Sequence, residues 1–386
     1  MRRASASILA LVVGLMVLVV LAGNPSSVQA GTKQFKIGVM GPMTGDQARW
    51  GLDLLHSVEV AAEEVNAKGG ILGAKVVVVG EDDQHNPKIG EAVAQKFSDD
   101  KEVMGVIGPY NSAVVLAITP IYEKASLVHM GASFSNPKIT EQGFKTVFRV
   151  NSRDDRQGPA GAEYVLNTLK AKKVAVLDDQ STFGKGVADE CVKKLEAEGV
   201  KPTRAVIKAG DKDFRAVLGT LAKDTQAIYF GGYAPEAALL VRQLQELGHK
   251  AAFLGPDGLF EPEDYIKAAG GAAEGSIVTA LAAPPESVPA AKEFIKKYEA
   301  KHGTIGPYSL NAYDGVNIIF AAIKRAGKFD RAAIAAEVAK TKNYKGISSG
   351  RAITFNEKGD NVNAAIYVYK VKDNKFSLVK EITFAK

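Results

Sequence analysis

Short Val- and Ile-rich runs alternate with longer stretches whose apolar residues recur every three or four positions, from residue 35 to about residue 340. That alternation is the signature of parallel strands joined by crossover helices. Phe35-Lys36-Ile37-Gly38-Val39-Met40 is the first strand. Leu55, Val58, Ala62 and Val65 share one face and predict a helix from about Trp50 to Lys68, stopped by Gly69-Gly70. Strand 75–81, helix 87–99, strand 103–108, helix 112–124 and strand 127–131 continue the rhythm. A second series begins near Phe148, with helix 158–170, strand 173–178, helix 184–198, strand 203–207 and helix 214–223. Strand 227–230, helix 235–247, and strands 251–254 and 276–280 complete it; Pro235 at the start and Gly248 past the end mark that helix. After Ala283-Pro284-Pro285 come helical patterns at 289–301, 309–326 and 330–340, then strands at 352–355, 364–371 and 376–383. Each series amounts to one doubly wound domain, so the expectation is two similar α/β lobes with several crossings between them.

The first thirty residues depart from this pattern. Arg2 and Arg3 precede an uncharged apolar stretch, Ile8 to Ala22, followed by Asn24-Pro25 and the small-residue site Val28-Gln29-Ala30. This is the layout of a secretory signal peptide, and the apolar core falls short of the ~20 residues of a spanning helix. The expectation is cleavage after Ala30 and a soluble mature protein, with an uncleaved membrane anchor as the alternative. Without Arg2 and Arg3 the formal charge falls from +6 to +4, spread along the chain with no basic run, which does not suit nucleic-acid binding. The single Cys191 rules out an internal disulfide and any Cys-based zinc site.

In open parallel sheets, ligands bind beyond the carboxyl ends of the strands. That rule selects the loops 41–50, 82–86, 109–112, 131–136, 179–183, 231–233 and 255–258. They are rich in hydroxyls, glycines and aromatics and hold no evident catalytic set. Gly38-Val39-Met40-Gly41-Pro42 breaks the dinucleotide spacing, and no phosphate-binding loop motif is present. Gly131-Ala132-Ser133-Phe134-Ser135 resembles a nucleophile elbow but ends in Ser, leaving a serine hydrolase using Ser133 as a remote alternative. His56, His85, His129, His249 and His302 show no metal spacing, and Asp82-Asp83 reads as a solvated turn. No catalytic residue, metal or cofactor is expected. The remaining polar groups suit a small zwitterion. Ser112, at a helix start, places backbone N–H groups where a carboxylate would be favoured, and is equally well read as a plain N-cap. Ser133 and Ser135 add hydroxyls, or form an ordinary polar loop. Asp257, in Gly255-Pro256-Asp257-Gly258, is an acid able to pair an ammonium, or simply a turn aspartate. Tyr233 and Phe183 are candidate pocket walls and Trp50 a candidate cover.

These segments resemble those of periplasmic leucine/isoleucine/valine-binding proteins, the substrate-binding components of branched-chain amino-acid-type ABC importers. The resemblance runs through Ile37–Gly45, Val65–Gly73, Asp82–Pro87, Val106–Pro109, Ser135–Thr140, Gly231–Glu236 and Gly255–Gly258. It implies a type I periplasmic-binding-protein fold, with two doubly wound lobes joined by three hinge crossovers. The expected lobes are 31–148 with 281–351, and 149–280 with 352–386. The resemblance also implies a monomer in the periplasm that binds an amino acid or related small carboxylate and delivers it to an ABC permease; a sensor feeding a receptor is the alternative role. The ligand carboxylate would meet Ser112 and the loop of Ser133 and Ser135; its ammonium would meet Asp257 and Tyr233. Trp50 and Phe183 stand where the family has tyrosines, Tyr110 where a smaller residue is usual, and Asp257 where Glu is common. A cysteine pair of some relatives is absent.

Overall fold

The computed structural model describes residues 33–384; the signal-peptide segment 1–30 lies outside them. Five parallel strands form the first sheet: β1 (Gln34–Gly41), β2 (Lys75–Asp82), β3 (Val103–Ile107), β4 (His129–Gly131) and β5 (Val147–Arg149), in the order β2-β1-β3-β4-β5. A second sheet has seven strands. β6 (Val174–Asp178), β7 (Thr203–Val206), β8 (Ala227–Gly231), β9 (Ala252–Gly255) and β10 (Ile277–Ala280) run parallel. A short antiparallel pair, β11 (Tyr344–Lys345) and β12 (Ala352–Ile353), stands apart. The antiparallel strands β13 (Ile366–Lys372) and β14 (Lys375–Ile382) complete the second sheet, in the order β14-β13-β10-β9-β8-β6-β7.

Strands β3, β6, β8 and β10 are buried along their whole length, because helices cover both faces of a parallel sheet and leave no wet side. Their sequences are accordingly mostly apolar, with Asp178 at the end of β6 and Thr279 in β10 as the polar exceptions. The chain passes between the sheets three times: after β5, after β10, and between β12 and β13. Helix 309–326, which follows the second passage, returns to pack on helix 48–67 and on β3 and β4.

At the first and third passages one carboxylate ties the strands together. Asp360 accepts from Arg149 Nε (2.8 Å), Arg153 (2.8 Å) and the Thr140 hydroxyl (2.9 Å), and Arg149 is fully buried. Arg149 also donates to the carbonyls of Asn136 (3.1 Å) and Phe134 (3.4 Å).

Several boundaries differ from the periodicity. The helix expected over 214–223 is a single turn, Arg215–Leu218, with Gly219 as its C-cap; Gly219 and Thr220, both weak helix formers, do not continue it. The helix expected over 158–170 starts earlier, at Asp154, and passes into a π-helix over Tyr164–Thr168. Its first turn is acidic, which the helix dipole favours.

Candidate functional site

The carboxyl ends of both sets of parallel strands face one cleft, and Tyr110, Ser112, Ser133, Phe134, Ser135, Phe183, Tyr233 and Asp257 line its innermost space. Each arrives on a strand-end loop or helix start. Tyr110 and Ser112 follow β3, Ser133 and Ser135 follow β4, Phe183 follows β6, Tyr233 follows β8 and Asp257 follows β9. Of the residues expected from sequence, seven therefore meet directly. Trp50 stands behind them, stacked on Tyr110 with centroids 4.5 Å apart and 5.9 Å from Tyr233.

Rings fill most of the cleft. Phe183 lies 5.3 Å from Tyr233, and Tyr110 meets Tyr308 at 5.6 Å, nearly edge to face. The space left is about 10 Å3, scarcely enough for a single water. Polar contacts cross it: Asn111 Nδ2 to the Tyr233 hydroxyl (3.2 Å), Asn136 Nδ2 to the Thr182 carbonyl (3.2 Å), and Arg49 Nε to the buried Glu261 carboxylate (3.3 Å). The two sides are shut against each other.

On one side lies the start of helix 112–124. Asn111, not Ser112, holds the N-cap position, and its side chain makes no capping bond. It is turned instead to Gln47 (2.8 Å) and Tyr233. The first-turn N–H groups thus keep their partial positive charge facing the cleft, as an anion requires. The Ser112 hydroxyl accepts weakly from the Asn136 N–H (3.4 Å). The Ser133 hydroxyl donates to the Tyr110 carbonyl (3.4 Å) and, among the described residues, bonds to no histidine.

On the other side lie carboxylates. Asp257 Oδ2 accepts from the Tyr308 hydroxyl, while Oδ1 is buried without a hydrogen-bond partner. Burial pushes its pKa up to about 6, against the lowering influence of the Tyr308 bond. Asp154, fully buried at the start of its helix, has neither oxygen hydrogen-bonded. Burial, then the nearby Asp257 charge, raises it well above the usual range. Arg149 and Ser135 oppose that rise only in part. Two buried acids with three oxygens that find no hydrogen-bond partner among the described residues are costly unless something positive arrives.

Asp154 and Tyr308 were not among the candidates expected from sequence. Asp154 falls before the helix start expected at 158, although its position just past a crossover strand was a usable signal. Tyr308 comes from the returning segment before helix 309–326 and carries no local mark. One other reading is corrected. Asp83 is not in a solvated turn: it is fully buried, and burial pushes it to about 7, while Asp82 holds Thr44 and the Met43 N–H. His56 and His302, far apart in sequence, stack face to face at 4.0 Å beside Glu59, an arrangement that spacing could not reveal.

Among the described residues no helix is long and apolar enough to cross a membrane. A family model described as periplasmic binding protein matches residues 34–375. An amino acid binding protein of Pseudomonas aeruginosa is 36% identical over 298 residues, covering 77% of this chain and 80% of its own length. The Leu/Ile/Val-binding protein homolog 1 of Brucella suis is 33% identical over 350 residues, covering 89% of this chain and 93% of its own. Among solved structures, a leucine binding protein from Thermotoga maritima superposes with a TM-score of 0.83 at 33% identity, over 90% of this chain and 98% of that one. A branched-chain amino acid transporter substrate binding protein from Streptococcus pneumoniae, in complex with isoleucine, gives 0.82 at 27% identity, over 91% and 99%. With two parallel sheets meeting at their carboxyl ends and likeness running the length of the fold, the chain belongs to the periplasmic binding protein family, of the type I, leucine/isoleucine/valine-binding kind.

Proposed function

We propose that this protein is the extracytoplasmic solute-binding component of an ABC importer. It closes on an amino acid, branched-chain or a related small carboxylate, and delivers it to a permease in the cytoplasmic membrane. The observation that carries this reading is the charge arrangement across one cleft: an uncapped helix start at Ser112 opposite the unpartnered oxygens of Asp257 and Asp154. An α-amino acid has the complementary groups a few bonds apart. Its carboxylate would meet the N–H groups and hydroxyls around Ser112, Ser133 and Ser135. Its ammonium would meet Asp257, Asp154 and the Tyr233 hydroxyl, and charge-assisted bonds there would be strong because the site is dry. Trp50, Tyr110 and Phe183 would enclose the side chain.

The two halves of the clamp are the segments 31–148 with 281–351 and 149–280 with 352–386, turning about the three crossovers. The mature chain, released after Ala30, works in the periplasm as a monomer. The names of the relatives, among them amino acid binding protein and Leu/Ile/Val-binding protein, favour this class of ligand.

Mass spectrometry of ligand retained by gently purified protein, followed by calorimetry against the twenty amino acids, tests the reading. Asp257→Ala and Ser112→Ala should each abolish the binding heat of the ligand found. If no amino acid binds the parent protein, or both variants bind unchanged, the assignment fails.

A further inference from the structure

We propose that His56, Glu59 and His302 form a site for a divalent first-row transition ion, of which Zn2+ is the most suitable probe. Their ligating atoms all lie within 4.8 Å of one another, at partly exposed positions away from the cleft lining. His56 and Glu59 are three residues apart on helix 48–67 and so point from the same side of one turn. His302 is the last residue of helix 292–302, after which Gly303 takes the chain away with φ near 79°.

Three observations favour an ion here over a chance meeting of side chains. First, the ligating atoms are already close: the two imidazoles lie 4.0 Å apart between centroids, and turning them out of their parallel stack, so that their in-plane lone pairs converge, would complete the approach. Tetrahedral donors at the usual zinc distances of about 2.0–2.2 Å stand about 3.4 Å apart, a short closure from what is seen. Second, the neighbouring acids are already taken. Glu63 is paired with Lys301, and Glu64 with Lys297 at 2.7 Å, whereas the only ion-pair partner of Glu59 among the described residues is His302 at 3.9 Å. Third, His302 ends its helix, where the dipole favours positive charge.

Two imidazoles and one carboxylate suit zinc, nickel or copper and suit calcium or magnesium poorly, since those prefer oxygen ligands. With Glu59 over one-third exposed, water would complete the coordination. The ion would fasten helix 292–302, on the segment that returns after β10, to helix 48–67. No catalytic role follows, because nothing in the site presents a substrate cavity.

The test uses the untagged mature protein and Zn2+ alone, by calorimetry and by thermal melting with and without EDTA. The protein has only five histidines, so competing sites are few. We expect one ion bound per chain and a melting temperature that rises with free Zn2+ and returns on chelation. His56→Ala and His302→Ala should each weaken binding by at least about tenfold, a loss that even outer-shell changes at metal sites can reach. Glu59→Gln should weaken it too, and His249→Ala, elsewhere on the surface, should not. His302→Ala lies at a helix end and His56→Ala within a helix, so one folded variant suffices to decide. Absence of binding heat and of any melting shift at micromolar Zn2+ would overturn the proposal. Equal affinity in parent and both histidine variants would overturn it as well, by placing the ion elsewhere.

Discussion

Replacing Asp360 by Ala removes the carboxylate that joins the first and third crossovers, and leaves Arg149 charged, fully buried and without its 2.8 Å partner. Breaking a buried pair by deleting one member costs about 3–5 kcal/mol, since the remaining charge has lost its compensation. For roughly 350 residues unfolding as a unit, an entropy of about 2.1 cal/mol/K per residue gives about 0.7 kcal/mol/K, so the melting temperature should fall by about 4–7 °C. The exposed pair Lys267–Glu263 is a control; Lys267→Ala should leave the melting curve close to that of the parent, because solvent screens so exposed a pair. The pH dependence has a fixed sign. Burial opposes ionisation of Asp360, but Arg149 and Arg153 overcome it and hold the group below the ordinary carboxylate range. Its contribution is therefore complete above about pH 4 and disappears as pH falls through its lower folded value. The gap between parent and variant, measured by differential scanning calorimetry at neutral pH and at successively lower pH below about 4, should be widest at neutral pH and shrink as the pH falls. Amino-acid affinity should fall as well, because Arg149 donates to the carbonyls of Phe134 and Asn136 that shape the Ser133 loop. Coincident melting curves at neutral pH, or a gap that does not change with pH, would refute the reasoning.

The ligand-free protein should lose stability as pH rises from about 4 to about 6, because Asp257 ionises near 6 when folded and near 3.9 when unfolded. That difference is worth roughly 3 kcal/mol; urea titrations across the range should show it, and Asp257→Asn should flatten the slope. Affinity for an amino acid should rise over the same interval, and a flat affinity would exclude an Asp257–ammonium contact. Gly51→Ala should reduce soluble yield and melting temperature, because its Cβ would sit 2.1 Å from the Pro42 carbonyl oxygen, backbone that cannot step aside; a parent-like melting curve would contradict this. Trp50, the single tryptophan, is stacked on Tyr110. Its fluorescence should change on binding, and a stable signal at saturating ligand would remove the indole from the cleft's moving parts.

The strand–helix rhythm and the strand-end rule together located Ser112, Ser133, Ser135, Tyr233 and Asp257, because parallel units place their loops at one end whatever the loops contain. Side chains brought in by distant segments were invisible to that logic. Tyr308 bonds Asp257 from 51 positions away, and His302 meets His56 only because helix 292–302 lies along helix 48–67. Asp83 illustrates a different limit. Two adjacent acids look like a wet turn, yet one faces outward to Thr44 and the other inward, a choice made by the surrounding layers rather than by local preference.

The rings that fill the cleft have a mechanical consequence. Trp50, Tyr110, Phe183, Tyr233 and Tyr308 are flat, stiff bodies with few rotamers, and they touch one another with only about 10 Å3 to spare. Such a lining cannot give way by small adjustments, as a Met- or Leu-lined pocket would. On the clamp action proposed above, the two sides would have to part before a guest enters and would then close on it only as far as its thickness permits. The cleft would act as a caliper: the bulk of the bound molecule would set the closing angle, and that angle could be read from the outer faces of the clamp without any contact with the guest itself.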